Sequence, residues 1–202
     1  MDTNSLSIVM FPKAKKHLWQ NFLKNPNILE RIVWWDSLEN KHIIEVGPGP
    51  GDLTAAILKQ KPRSLSLIEI DDDMIPLLER RFADEKILIY HGDVLSTNII
   101  PGKQTSPVGV TVKKNAMIPM EDYILYGNIP YYITSPILQH FLYDVEKKPE
   151  AIIFTMQKEV ADRILARDSQ HSVLSLSCLH QPKYVILAQK ISYQHRKSGQ
   201  HA

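Results

Sequence analysis

Five short, mostly apolar runs recur along the chain, at residues 42–46, 65–69, 87–91, 122–126 and 151–156. None alternates cleanly between apolar and polar positions, the pattern of strands covered on both faces. The segments between them predict helices over 26–35, 53–60, 73–82, 136–143 and 157–167. Such alternation predicts an α/β fold, a mostly parallel sheet with helices on both faces. Asn25 before Pro26, Ser135 before Pro136 and Asp71-Asp72-Asp73 before Met74 offer side-chain acceptors to the free backbone N–H groups of helix starts. Pro76 is tolerable there only in a first turn. Residues 101–121 hold Pro101, Gly102, Pro107, Gly109, Pro119 and three Lys, and read as a long loop or a small β excursion. Two more strand-like runs lie in 173–192 around Pro182, and residues 193–202 form a polar tail.

At 202 residues, 44% hydrophobic and 23% charged, the chain has the composition of one globular domain. No stretch approaches the roughly 20 apolar residues of a membrane span. Ile8-Val9-Met10-Phe11 is too short for the apolar core of a signal peptide, so a cytoplasmic protein is expected. The single cysteine, Cys178, excludes an internal disulfide and a thiolate metal cluster. His91 and His140 have no companions at ligand spacing, so they read as a strand end and a helix packing or capping residue, with no metal expected. Charge is uneven: residues 1–29 hold four Lys against Asp2, residues 169–202 hold three Lys and one Arg with no acid, and the body carries 16 basic against 21 acidic residues. Basic ends around an acidic body suit either a polyanion-binding enzyme or solvated tails.

Glu45-Val46-Gly47-Pro48-Gly49-Pro50-Gly51 follows the first of these strands and precedes a helix, which is the setting of a ligand-binding turn. By itself the turn is compatible with NAD, FAD or S-adenosylmethionine. Glu69 and Asp93 then stand at the ends of the next two strands, where a doubly wound sheet lines its crevice. Glu69 is placed to accept both ribose hydroxyl protons, and Asp93 to accept from an adenine amine. Two carboxylates repel a pyrophosphate and suit a cationic sulfonium, so S-adenosylmethionine is the favoured cofactor. Asp71 to Asp73 are read as the acidic start of a helix.

Gly127-Asn128-Ile129-Pro130-Tyr131-Tyr132 follows the fourth strand. Asn128 Oδ1 and a carbonyl from Ile129 or Pro130 can accept the two protons of an adenine amine, favouring a tetrahedral nitrogen as a methyl carbon approaches. Tyr131 would stack on the extruded base. No strong base is required, because the methyl donor is already activated and the site's work is in-line positioning.

These residues, with Gln20-Asn21-Phe22-Leu23 and Met156-Gln157-Lys158-Glu159-Val160, closely resemble the ribosomal RNA adenine N6-dimethyltransferases, over about residues 13–192. The resemblance implies a Rossmann-like S-adenosylmethionine-dependent fold, divided into a basic N-terminal arm (1–24), a catalytic domain (25–192) and a frayed tail (193–202). It implies that Asn21 and Leu23 close over the cofactor, that Gly47 meets its methionine end, Glu69 its ribose and Asp93 its adenine. Asn128 stands where cofactor and target amine meet and counts with both sets. The family's usual substrate is a pair of adjacent adenosines in a hairpin near the 3′ end of small-subunit ribosomal RNA, each methylated twice during ribosome biogenesis. The implied partner is that RNA or the pre-assembled small subunit, bound by a monomer with no membrane and no metal. Thr134-Ser135-Pro136-Ile137-Leu138 looks more like this branch than like the erythromycin-resistance branch acting on large-subunit RNA. That branch and a non-catalytic RNA-binding assembly factor are the alternatives. The chain departs from the family at Trp19, where Gly is usual, and in the long 101–121 segment, and the family's C-terminal helical domain is expected to be absent. Trp34-Trp35 is read as core packing, and Lys13, Lys15 and Lys16 as phosphate contacts or a solvated arm. Gln157, Lys158 and Glu159 are read as structural or RNA-contacting.

Overall fold

A computed structural model describes residues 7–14, 26–34, 37–103, 107, 109–114, 117–157 and 184–191, without the side chains of 7–14, 26, 28, 131, 156–157 and 184–191. In chain order its elements are β1 (Ser7–Ala14), α1 (Pro26–Val33), β2 (His42–Val46), α2 (Asp52–Lys59), β3 (Ser64–Glu69), α3 (Met74–Arg81), β4 (Ile87–His91), β5 (Asn98–Pro101), β6 (Thr111–Lys113), β7 (Met117–Met120), β8 (Tyr123–Asn128), α4 (Tyr131–Gln139), β9 (Ala151–Gln157) and β10 (Tyr184–Ile191). Among the described residues eight strands form one sheet, ordered β1-β10-β9-β8-β2-β3-β4-β6, with every neighbouring pair parallel.

Successive strand residues point to opposite faces, and both faces are covered. Ile43, Leu65, Leu67, Ile87, Ile89 and Ile124 pack with Leu29 and Ile32 of α1, Leu53 and Ile57 of α2, and Ile75 and Leu78 of α3. Ile44, Val46, Ile68, Leu88 and Leu125 pack the other way, against Ile137 and Leu138 of α4 and Phe141 beyond it. This explains why the strand runs lack alternation. Sequence order runs outward from β2 through β3 to β4, then returns to the other side of β2 with β8 and β9. A reversal of this kind opens a crevice at the carboxyl ends of β2 and β8.

Several expectations are corrected. The fourth helix starts at Tyr131, a turn before Ser135-Pro136, because Pro130 is already extended (φ −59, ψ 144) and takes the cap position. Ile133 N–H and the Thr134 hydroxyl both donate to the Pro130 carbonyl, at 3.2 and 2.9 Å. Pro136 then lies inside the helix, which ends in a π-helical turn at His140–Asp144. Before α3, of the three aspartates offered as acceptors, Asp71 takes a backbone N–H, from Asp73 at 2.9 Å, and the cap residue Asp73 makes no side-chain cap bond. Trp34 is 78% exposed rather than core, since Leu29, Ile32 and Val33 already form the inward face of α1 and Trp34 closes the helix beyond it. Of the two readings of 101–121, the described residues of the segment fit the small β excursion: β6 extends the sheet edge, and β7 pairs β5 while burying Ile118 and Met120. Gln157 ends β9 instead of beginning a helix. The rest of the predicted 157–167 helix, the first of the two C-terminal runs, Trp35 and the 193–202 tail lie outside the described residues.

Candidate functional site

The turn after β2 is held open by glycine. Gly47 and Gly49 take φ of +63° and +53°, and nothing stands within 4 Å of where a Cβ would lie at either. Gly51 has a different task, since a Cβ there would sit 2.6 Å from the Phe82 ring, so its absence lets the start of α2 pack beside the end of α3. The turn is tied on three sides: Gly47 N–H donates to Ile68 O at 2.9 Å, Gly49 N–H to Glu69 Oε2 at 3.1 Å, and Arg81 Nη1 to Pro50 O and to Asp52 Oδ1.

Beside the turn lies a cleft of about 330 Å³, at the lower end of small-molecule sites, running from Glu45 and Gly47 past Glu69 and Asp93 to Asn128. Among the described residues its lining holds five carboxyl groups, on Glu45, Asp52, Glu69, Asp71 and Asp93, and no Lys, Arg or His. Glu69 is buried and accepts three backbone N–H bonds, from Gly49 on Oε2 and from Ile70 and Asp71 on Oε1, at 2.9–3.1 Å. A carboxylate has about four acceptor positions, so one remains on Oε2, and the expectation of two ribose hydroxyls falls to one unless an N–H is displaced. Asp93 Oδ1 accepts from Leu95 N–H at 2.9 Å, capping a short 3₁₀ turn (Val94–Ser96) and leaving Oδ2 to the cleft.

Glu45 is only 1% exposed. Burial pushes its carboxyl up to about 8, against a lowering hydrogen bond from the Thr54 hydroxyl at 2.7 Å and with further raising by the Glu69 charge. At neutral pH Glu45 is thus chiefly a neutral acid in the lining of the cleft.

Asn128 ends β8 directly opposite Thr155 of β9. The Thr155 hydroxyl donates to Asn128 Oδ1 at 2.6 Å, and Ile129 N–H donates to Thr155 O at 3.1 Å. The amide oxygen keeps a second acceptor position, and Asn128 lines the cleft. The Pro130 carbonyl is taken by its two donors in α4, so of the two candidate carbonyls Ile129 is the one left for an incoming amine.

The fold thus brings Gly47, Glu69, Asp93, Asn128, Ile129 and Pro130 to one cleft. Tyr131 opens α4 beside it, with its side chain outside the described residues, as are Asn21 and Leu23. Four further residues of the site escape a reading of the sequence. Glu45 stands within the glycine motif with nothing local to give it a role of its own. Ile70, exposed on the cleft wall, has a signal in its place after Glu69. Tyr132 reads only as a second aromatic. Thr155 carries no local signal. Among the described residues no three His, Cys, Asp or Glu side chains gather as a metal site, and no helix is long and apolar enough to cross a membrane.

A parallel doubly wound sheet with this cleft at its switch point defines the Rossmann-like methyltransferase class. The family model described as Ribosomal RNA adenine dimethylase matches residues 11–186, and the chain belongs to that family. It is 36% identical over 172 residues to ribosomal RNA small subunit methyltransferase A of Pelagibacter ubique (strain HTCC1062), covering 84% of this chain and 59% of the relative. It is 37% identical over 171 residues to the protein of the same name from Mesomycoplasma hyopneumoniae (strain J), covering 84% and 58%. The chain therefore spans somewhat more than half the length of the curated relatives it matches. Among solved structures it is similar to a dimethyladenosine transferase from Plasmodium falciparum (28% identity, TM-score 0.59, 76% of this chain and 50% of the other). It shares its fold with the 23S rRNA methyltransferase ErmE (24%, TM-score 0.60, 77% and 56%).

Proposed function

We propose that the chain transfers methyl groups from S-adenosylmethionine to the N6 amine of adenosines in ribosomal RNA. The specific reaction is dimethylation of two adjacent adenosines in a hairpin near the 3′ end of the small-subunit RNA, by a monomer acting in the cytoplasm during ribosome assembly. The observation that carries this reading is the acidic cleft, with five carboxyl groups and no basic side chain among the described residues of its lining, ending at Asn128. Such a lining repels a dinucleotide pyrophosphate and suits a cation, and the names of the relatives point to small-subunit ribosomal RNA.

The residues present fit the cofactor. The open side of Gly47 and Gly49 admits a ligand against the backbone, Glu69 Oε2 accepts a ribose hydroxyl, and Asp93 Oδ2 accepts from an adenine amine. Asn21 and Leu23 would close over it. When bound, S-adenosylmethionine supplies a methyl group activated on a cationic sulfur. Asn128 Oδ1 and the Ile129 carbonyl accept the two N6 protons and hold the nitrogen lone pair toward the methyl carbon, while Tyr131 stacks on the base. The chain's own residues hold the N6 lone pair in line and let the N6 proton leave to water, the bonding pair staying on the cofactor's sulfur. Orientation supplies the rate advantage.

The test is transfer of labelled methyl groups to unmethylated small-subunit particles, with large-subunit RNA in parallel, followed by mapping of the modified bases. Label on adjacent small-subunit adenosines supports the reading. Label confined to large-subunit RNA, or no label on either despite measured cofactor binding, refutes it.

A further inference from the structure

We propose that Tyr132 stacks on a base next to the adenosine held at Asn128, gripping the RNA strand at the mouth of the cleft; this rests on the RNA-methylation reading above. Thr134, Ile137 and Leu138 turn α4 inward and are buried, whereas Tyr132, Ser135 and Pro136 face outward. Tyr132 is 65% exposed and yet lines the same cleft as Asn128, Ile129 and Pro130. Helical side chains lean toward the helix N-terminus, and the N-terminus of α4 is the Asn128 turn itself, so the ring lies over the entrance.

The chemistry selects a base as the occupant. Among its described residues the cleft lining has no Lys, Arg or His to draw a phosphate, and an aromatic ring there is suited to a flat apolar face. An adenosine that reaches Asn128 must leave its stack, which uncovers the face of its neighbour. A tyrosine ring at that point replaces the lost stacking, the usual means by which proteins hold single-stranded RNA.

Alanine substitution at such a platform weakens binding by about five- to a hundredfold. Tyr132→Ala is expected to raise KM for RNA about tenfold with a much smaller loss in kcat and no change in cofactor affinity, and Tyr132→Phe and Tyr132→Trp to restore KM. In synthetic RNA, abasic nucleotides on both sides of the target should cost the wild type what Tyr132→Ala costs, and cost the variant little more. An unchanged KM in Tyr132→Ala overturns the proposal, as does a variant penalty that persists undiminished beside abasic neighbours. A short single-stranded RNA carrying 2-aminopurine beside one adenosine reads stacking without turnover. Tyr132-dependent quenching without methyl transfer sinks the activity reading and keeps the stacking role. Methyl transfer with equal quenching in wild type and Tyr132→Ala does the reverse.

Discussion

Thr155→Val isolates the contact that holds the amide at the centre of the proposed chemistry. The Thr155 hydroxyl reaches Asn128 Oδ1 at 2.6 Å from a strand position only 3% exposed, and the backbone bond from Ile129 N–H to Thr155 O is independent of it. Valine keeps the branched shape and replaces the hydroxyl by a methyl, which cannot donate and must draw back from the 2.6 Å approach to Asn128 Oδ1. A neutral hydrogen bond contributes a net of about 0.5–1.5 kcal/mol. If that energy orients a group acting chiefly in the transition state, its loss slows transfer about 2- to 12-fold at saturating substrates. Stability should change by less than about 1 kcal/mol, because packing is retained and half-buried Asn128 can take a water in place of the donor. Single-turnover methyl transfer measures the rate, with urea unfolding and cofactor calorimetry as controls, and Thr155→Ser should stay near wild type. A Thr155→Val enzyme as fast as wild type refutes the positioning role. Equal losses in the Ser and Val variants would assign the effect to a general disturbance of packing at this position and not to the hydroxyl's hydrogen bond.

Asp93→Asn should weaken cofactor binding about tenfold, since a charge-assisted hydrogen bond becomes a neutral one; calorimetry returning the wild-type affinity removes Asp93 from the adenine site. Glu45 has its carboxyl raised from 4.5 to about 8, so the folded state holds a proton that the unfolded chain has released. Its contribution to stability is therefore fully present below pH 4.5 and is lost as pH rises through about 8. Glu45→Gln should gain on wild type between pH 5 and pH 9 by a few kcal/mol at most, because each tenfold difference in proton affinity between the folded and unfolded states is worth about 1.4 kcal/mol. Parallel urea stabilities across that range would contradict the assignment. Gly51→Ala combines a φ of +87° with a Cβ 2.6 Å from Phe82, and should cost about 2–4 kcal/mol in urea unfolding. A melting temperature within a degree of wild type would show that the turn adapts.

The central strands β2, β3, β4, β8 and β9 could be read from the sequence because both faces are buried and the runs are mostly apolar, whereas β1 and β5 escaped that reading. The glycine turn, Glu69, Asp93 and Asn128 could be placed because each follows a strand, and strand ends in such a sheet share one edge. What escaped was set by contacts distant in sequence. Thr155 meets Asn128 only through strand register, 27 residues away. Ser135-Pro136 is a good local signal for the start of α4, but Pro130 offers an earlier cap, and that same cap engages one of the two carbonyls open to catalysis by sequence alone. Trp34 looks like core by composition, yet the inward stripe of α1 is already filled by Leu29, Ile32 and Val33. The neutral state of Glu45 depends on three-dimensional burial, which its place in a glycine motif does not reveal.

Asn128→Ala tests the central claim most directly, in single-turnover transfer of labelled methyl groups to unmethylated small-subunit particles, with cofactor affinity measured on the same preparation. Loss of one oriented acceptor should slow transfer about a hundred- to a thousandfold while cofactor affinity stays within about threefold, roughly 0.7 kcal/mol. A variant that methylates at the wild-type rate would contradict the assignment of Asn128 to the target amine.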